Sequence, residues 1–397
     1  MAISKKISSA MSNSSWIRKL FETGIQLKKL YGDDKIFDFS LGNPDHEPPK
    51  SFKEALTKWA LEPVVGMHDY MSNAGYPETR QAIAEALAGE TGLPFSENHV
   101  MMTVGAGGAL NAVLKTILDP GDEVIVLSPF FVEYKFYIDN HGGIVKLVPT
   151  TDNFNIDLNA IDSAISAATK AIIINSPNNP TGVVYDADSL AGLGALLKIR
   201  EEELGHPVYV ISDEVYAKLV YDGVTVPSVF KHIKNSILAT SYSKDLALPG
   251  ERIGYAAVSP EIDQVDLLMD GLIFCNRTLG FINAPALMQR IVTGLQHESV
   301  DITRYQEKRD ILYDHLTKLG FKMIKPQGAF YLFPQSPLED DIEFINIAMK
   351  FNILVVPGTG FGKPGHFRIA YCVEKQTVLN SLPAFEALAK ELGLKPL

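Results

Sequence analysis

The sequence predicts an α/β fold: a three-layer α/β/α large domain built on a mostly parallel sheet, joined to a smaller α+β domain. Three observations carry that reading. Short β-branched apolar runs recur between residues 123 and 244, with polar or Gly/Pro-rich turns beyond them. The stretches between them, such as 156–168 and 186–205, are long enough for the crossover helices that parallel strands require. After about residue 285 this alternation stops, and a charged helical stretch leads into shorter mixed elements.

Each element follows from its residues. Trp16, Ile17, Leu20, Phe21, Ile25 and Leu27 recur near helical spacing behind Ser14 and Ser15, which predicts an amphipathic helix over 15–30. IFDFSLGNPDHEPP reads as a short strand running into a Gly/Pro turn. Residues 78–90 form a helix, and GAGGAL at 105–110 opens another that ends at the stop signal DPGD. The strands are EVIVLSP (123–129), GGIVKLVP (142–149), KAIIINSPNNPTG (170–182), HPVYVISDEVY (206–216) and SILATSYSK (236–244). Then come one long helical segment over 286–318, GAFYLFP (328–334), a helix over 341–350, ILVVPG (353–358), HFRIAYCV (366–373) and a helix ending near Leu392. The expected division is an N-terminal arm with part of the small domain (1–45), a large domain (46–285) and a small C-terminal domain (286–397). No tandem repeat interrupts it.

Composition narrows the function classes. In 397 residues, 36 Lys and Arg stand against 47 Asp and Glu, for a net charge of −11 and no dense basic run, which speaks against nucleic acid as a partner. Apolar runs such as VIVL (124–127) are strand-sized, so no membrane span is expected, and the first 15 residues lack the apolar core of a secretory signal. Cys275 and Cys372 form neither a disulfide framework nor a metal-binding pair. A cytoplasmic protein without a structural metal is the expectation.

Chemistry gathers at strand ends, where ligands bind in open α/β sheets. In SYSKDLALPGERIGY, Lys244 directly follows an apolar strand, and Ser241, Ser243 and Arg252 lie within eight residues of it. A neighbouring cation and partial desolvation turn a lysine into a nucleophile for imine chemistry, while hydroxyls and a guanidinium suit a phosphate dianion. Asp213, closing HPVYVISD with Tyr216 three residues on, reads either as a helix cap or as a buried carboxylate seeking a cation. Asn178 and Asn179 in SPNNPTG are turn residues or rigid amide donors. The glycines of TVGAGGALNAV precede a helix whose free N–H groups receive phosphate, a weak signal because it matches neither common phosphate-loop pattern. Arg368, inside the apolar run HFRIAYCV, reads as a structural ion pair or as a bidentate grip on a carboxylate.

From about Asp38 to Lys390 this combination resembles the pyridoxal-phosphate-dependent aminotransferases of fold type I, class I/II, the aspartate aminotransferase-like group. SYSKDLALPGERIG fits the family's lysine attachment signature, and SPNNPTG and SDEVY precede it at the family's intervals. The resemblance implies pyridoxal 5′-phosphate bound covalently at Lys244, which also shuttles the substrate proton. It implies that Asp213 holds the pyridine nitrogen protonated and that Asn179 and Tyr216 bond the phenolic oxygen. It places the phosphate on Ala106, Gly107, Ser241, Ser243 and Arg252, and Tyr70 on the partner subunit's phosphate in a homodimer. Arg368 grips the substrate α-carboxylate, assisted by Asn179 and the backbone of Gly42. Two departures stand out: Phe131 occupies the ring-stacking position where many relatives carry Trp or Tyr, and Ala106-Gly107-Gly108 lacks their polar side chain.

The implied reaction moves the α-amino group of an L-amino acid to a 2-oxo acid by a ping-pong route, with a broad or neutral donor and 2-oxoglutarate as acceptor. The alternatives are a β-eliminating C–S lyase on the same cofactor and a non-catalytic regulatory protein that binds it. A donor with a distal carboxylate needs a second cation, for which Arg18, Lys19, Arg277 and Lys363 are the candidates.

Overall fold

The computed structural model describes residues 2–12, 24–29, 32 and 35–396. Its strands in chain order are β1 (Phe37–Asp38), β2 (Val100–Thr103), β3 (Glu123–Ser128), β4 (Ile144–Pro149), β5 (Thr169–Asn175), β6 (Tyr209–Asp213), β7 (Ser236–Ser241), β8 (Gly254–Val258), β9 (Tyr331–Leu332), β10 (Ile353–Leu354), β11 (Val356–Pro357) and β12 (Phe367–Ala370). Seven form one sheet in the order β2-β8-β7-β6-β5-β3-β4. Strand β8 runs antiparallel to both neighbours, and the remaining pairs are parallel.

The sheet explains its own sequence. Val124–Leu127 and Ala171–Ile174 are unbroken apolar runs because both faces are covered by helices. Alternate side chains divide between two cores: Ile125 and Ile172 pack with Ile83, Leu190 and Ile291 on one face, while Val124, Val126 and Ile173 pack with Val113, Met269 and Leu272 on the other. The crossover helices Leu158–Ala164 and Ala187–Leu204 each start where an Asp side chain accepts a free backbone N–H, Asp157 from Ala160 and Asp186 from Ser189.

The smaller unit holds the sheet β11-β12-β9, the parallel pair β1-β10, and helices Thr303–Lys318, Asp341–Lys350 and Lys375–Glu391 around a third core. The N-terminal segment enters that core. The Ala370 N–H donates to the Phe39 carbonyl, and the Phe39 ring lies 6.1 Å from Phe385.

The structure revises several expectations. The helical segment over 286–318 is broken into Ala286–Val292, a 3-10 turn and Thr303–Lys318, with the Asp301 side chain accepting from the Thr303 N–H. Ala284, Met288, Ile291, Val292 and Leu295 pack in the core of the large sheet, so the chain crosses to the smaller unit after them rather than at 285. ILVVPG is two strands, because Ile353–Leu354 pairs with β1 and Val356–Pro357 with β12. Most of the expected 15–30 helix lies outside the described residues; 24–29 are helical, and an unexpected helix covers Lys5–Ser12. No helix among the described residues is long and apolar enough to cross a membrane.

Candidate active site

The carboxyl ends of β5, β6 and β7 converge on a cavity of about 320 Å³, walled on its far side by residues 41–42, Tyr331 and Arg368 of the smaller unit. Lys244, three residues past the end of β7, points its Nζ into this space and donates to the Gly42 carbonyl at 2.9 Å. Burial pulls its amine down to about 8, with Arg368 and Arg252 pushing the same way. More of it is therefore the neutral nucleophile at neutral pH than in an exposed lysine.

Asp213 ends β6. Its Oδ2 accepts from the Tyr134 hydroxyl at 2.6 Å, while Oδ1 is buried with no hydrogen-bond partner. Burial raises this carboxyl to about 6, opposed by the Tyr134 hydrogen bond and the Val215 backbone N–H. An orphaned, buried carboxylate oxygen facing a cavity calls for a cationic or N–H donor. Asn175, at the end of β5, braces the floor: its amide donates to the Asp213 carbonyl at 2.8 Å, and its Oδ1 accepts the Asn179 N–H at 2.7 Å.

One end of the cavity gathers groups suited to an anion. Gly105 opens the helix Gly105–Ile117 at φ +79°, and a Cβ there would sit 2.9 Å from Arg252 Nη2, so only glycine lets the helix start approach the guanidinium. Ala106 and Gly107 follow with first-turn N–H groups, and Ser241, Ser243, Tyr137 and Arg252 complete the lining.

Arg368 guards the opposite end. It is 2% exposed, donates to Asn179 Oδ1 at 3.0 Å and to the Ser40 carbonyl at 2.6 Å, and leaves Nε without a partner. No carboxylate among the described residues forms an ion pair with it. A buried guanidinium held only by neutral groups is a standing anion receptor. Phe131 lines the space with its ring edge-on to Tyr134 at 5.5 Å. The Tyr216 hydroxyl lies 2.8 Å from that of Tyr331.

Residues 34–384 match the family model for aminotransferases of class I and II. The chain belongs to that family. An aminotransferase from Eubacterium rectale of known structure superposes with a TM-score of 0.95 at 38% identity, covering 98% of this chain and 99% of that one. The probable aspartate aminotransferase of Methanocaldococcus jannaschii is 34% identical over 87% of this chain and 91% of its own. The aromatic-amino-acid aminotransferase 2 of Thermococcus litoralis is 30% identical over 99% and 100%. Enzymes of this family use pyridoxal phosphate, on a large, mostly parallel α/β domain with a smaller α+β domain.

Of the aminotransferase residues expected from sequence, Gly42, Ala106, Gly107, Phe131, Asn179, Asp213, Tyr216, Ser241, Ser243, Lys244, Arg252 and Arg368 all line the one cavity. Tyr70 does not; it is 90% exposed on a separate face beside Phe281 and Ile282. Arg277 is exposed over the Phe274 ring, Lys363 is absent from the lining, and Arg18 and Lys19 lie outside the described residues. The sequence reading missed Tyr134, Tyr137, Asn175 and Tyr331. Asn175 closes AIIIN at the end of β5, the kind of position that singled out Asp213, whereas Tyr134 and Tyr137 of FFVEYKFY lie on the short helix Tyr134–Asn140 beyond β3. A larger cavity of about 920 Å³ adjoins this one and shares Val215 and Ser241, but it contains neither Lys244 nor Arg368.

Replacing Tyr134 by Phe removes the hydrogen bond that holds the Asp213 carboxyl down. The acid limb of the pH–rate profile is expected to move up by about one unit, the scale of one hydrogen bond to a charged group. An unmoved limb shows that Tyr134 is only packing.

Proposed function

We propose that this aminotransferase moves the α-amino group of a broad or neutral range of L-amino acids to 2-oxoglutarate, using pyridoxal phosphate held covalently on Lys244. The carrying observation is that one cavity joins a nucleophilic buried lysine, an orphaned Asp213 oxygen and an Arg368 guanidinium without a carboxylate. The residues fit the cofactor end to end. Ala106, Gly107, Ser241, Ser243 and Arg252 would hold the phosphate, Asp213 Oδ1 would accept the ring N–H, Asn179 and Tyr216 would serve the phenolic oxygen, and Phe131 would cover the ring.

When bound, pyridoxal phosphate supplies a conjugated electron sink that acidifies the Cα–H of an attached amino acid. Asp213 keeps that sink effective by pairing with a protonated ring nitrogen. Arg368, with Asn179 and the Gly42 backbone, fixes the α-carboxylate and thereby orients the Cα–H toward Lys244. Once the substrate nitrogen has displaced it from the cofactor, the free Lys244 amine would be the group that takes that proton and returns it at C4′. Donor and acceptor would use the same Arg368 grip in turn, and because the amino group would stay on the cofactor after the first oxo acid leaves, the expected kinetics are ping-pong.

The exposed Tyr70, Val65 and Phe274 supply apolar surface for a second copy, and a homodimer brings Tyr70 to the partner's phosphate. Both cysteines are free, in keeping with a cytoplasmic enzyme. The relatives named for aspartate and for aromatic amino acids bracket the side chains to be tried.

The test is a half-reaction screen of the common L-amino acids against the loaded enzyme without acceptor, following loss of the visible band and release of one equivalent of oxo acid. Recovery of the band on adding 2-oxoglutarate completes the reading. Pyruvate and ammonia released catalytically without an acceptor assign a lyase instead, and no spectral response to any amino acid removes the enzyme reading.

A further inference from the structure

Tyr331 is a cavity residue that no feature of the lysine, aspartate or arginine motifs calls for. It opens β9, is 2% exposed, and pairs in register with Ala370 of β12, the strand that carries Arg368. Three groups of the site converge on it. Its hydroxyl is 2.8 Å from the Tyr216 hydroxyl, its ring lies 4.6 Å beneath the Arg368 guanidinium, and its Oη sits against Gly42 so closely that a Cβ there would be 2.1 Å away. Gly42 is the residue whose carbonyl receives Lys244. The glycine is thus required by the Tyr331 hydroxyl, and that hydroxyl touches both Gly42, which receives Lys244, and Tyr216 itself.

A tyrosine hydroxyl has one proton to give. For Tyr216 to spend it on the cofactor's phenolic oxygen, its own oxygen must be left as an acceptor, and a neighbouring donor enforces that choice. Tyr331 is the neighbour the structure supplies, and the two rings meet edge to face at 5.8 Å and 81°, which fixes the pair. Aligned in one direction, the two hydroxyls polarise each other. In the opposite direction, Tyr216 would donate to Tyr331 and present only lone pairs to the phenolic oxygen.

We propose that Tyr331 is a positioning residue: its hydroxyl donates to Tyr216 and so directs the Tyr216 proton onto the cofactor's phenolic oxygen. This rests on the assignment of Lys244 and Tyr216 to the cofactor made above. A donor on that oxygen stabilises its negative charge and lets the nitrogen of the Lys244 linkage lose its proton at lower pH. Tyr331 acts on the linkage through Tyr216 and touches neither reacting atom.

The test is a double-mutant cycle on the loaded enzyme, read as the pH at which the visible band of the Lys244 linkage titrates. Tyr216→Phe is expected to raise that pH. Tyr331→Phe, which keeps the ring beneath Arg368, is expected to raise it by about half a unit to one unit, the range one hydrogen bond commands. In the Tyr216→Phe background the Tyr331→Phe change is expected to add nothing. An unshifted titration in Tyr331→Phe overturns the proposal, as does an equal shift in both backgrounds. A Tyr331→Phe protein that fails to load the cofactor or loses its cooperative thermal transition counts against it too, because that outcome makes the hydroxyl a folding element. A wild-type protein with no titrating visible band fails earlier, at the cofactor assignment itself.

Discussion

Lys244→Ala is expected to lower turnover by at least about 10⁴-fold while leaving cofactor uptake measurable, since on the proposed mechanism the change removes both the covalent anchor and the proton carrier. The other holding groups are on different elements. Ala106 and Gly107 belong to a helix start, Asp213 ends β6, and Arg252 is braced by the Pro249 carbonyl at 3.0 Å, so none depends on the lysine side chain for its place. Two measurements separate the roles. Hydride reduction followed by mass analysis should attach cofactor to the wild type at Lys244 and to the alanine variant nowhere. Single-turnover spectroscopy with the best donor should show binding without proton transfer. Retention of even a hundredth of the wild-type single-turnover rate would move the proton-carrying role to another residue.

Asp213→Asn is expected to act in opposite directions on turnover and on the stability of the cofactor-free chain. Burial raises the folded-state carboxyl from 3.8 to about 6. A carboxyl raised in this way binds its proton more tightly folded than unfolded. Its stabilising contribution is complete below about pH 4 and is lost as the pH climbs through about 6. At pH 7 the cofactor-free wild type therefore carries a strain on the order of 3 kcal/mol from this one ionised group. Asn keeps an oxygen for the Tyr134 hydroxyl and has no charge to bury, so the variant should unfold at higher denaturant, and the difference should open between pH 4 and 6. Turnover should fall by about 10²- to 10³-fold, the range for removing one aimed electrostatic partner. Equal stability across that window, or unchanged turnover, removes the assignment of Asp213 as a buried anion awaiting a cation.

The two variants show what the residues alone made readable. Five of the seven strands of the large sheet, β3 to β7, were legible as short apolar runs, and the central ones are continuous, as AIII is, because both of their faces are buried; β2 and β8 were not read from the sequence. Lys244, Asp213 and Asn179 were legible for a topological reason: each stands where a parallel strand ends, and all three line one cavity. Tyr134 was not, because its meaning lies in a hydroxyl aimed at a residue 79 positions later. The same holds for Tyr331, whose partner Tyr216 is 115 positions away. The split of ILVVPG into two strands depends on which partner each half finds, and a run of β-branched residues says nothing about partners. Breaking of the 286–318 helix escaped for a similar reason. Its first part carries apolar residues for the large core and its second for the small one, and a single helical period describes both.

The way Arg368 is held has a consequence for how the chain is made. Arg368 is held by the Ser40 carbonyl across 328 positions, and β1 finds its ladder partner in β10. A nascent chain emerging at about 5–20 residues per second can close the large sheet once β8 is out, yet the segment around Ser40 must then wait for more than a quarter of the sequence. Throughout that interval Phe37 and Phe39 have no core to enter. Such wide sequence separation slows the final docking step and leaves an apolar N-terminal stretch open to chaperones or to aggregation. Assembly thus proceeds from a scaffold that is complete early to a binding site that closes last, when the two ends of the chain meet.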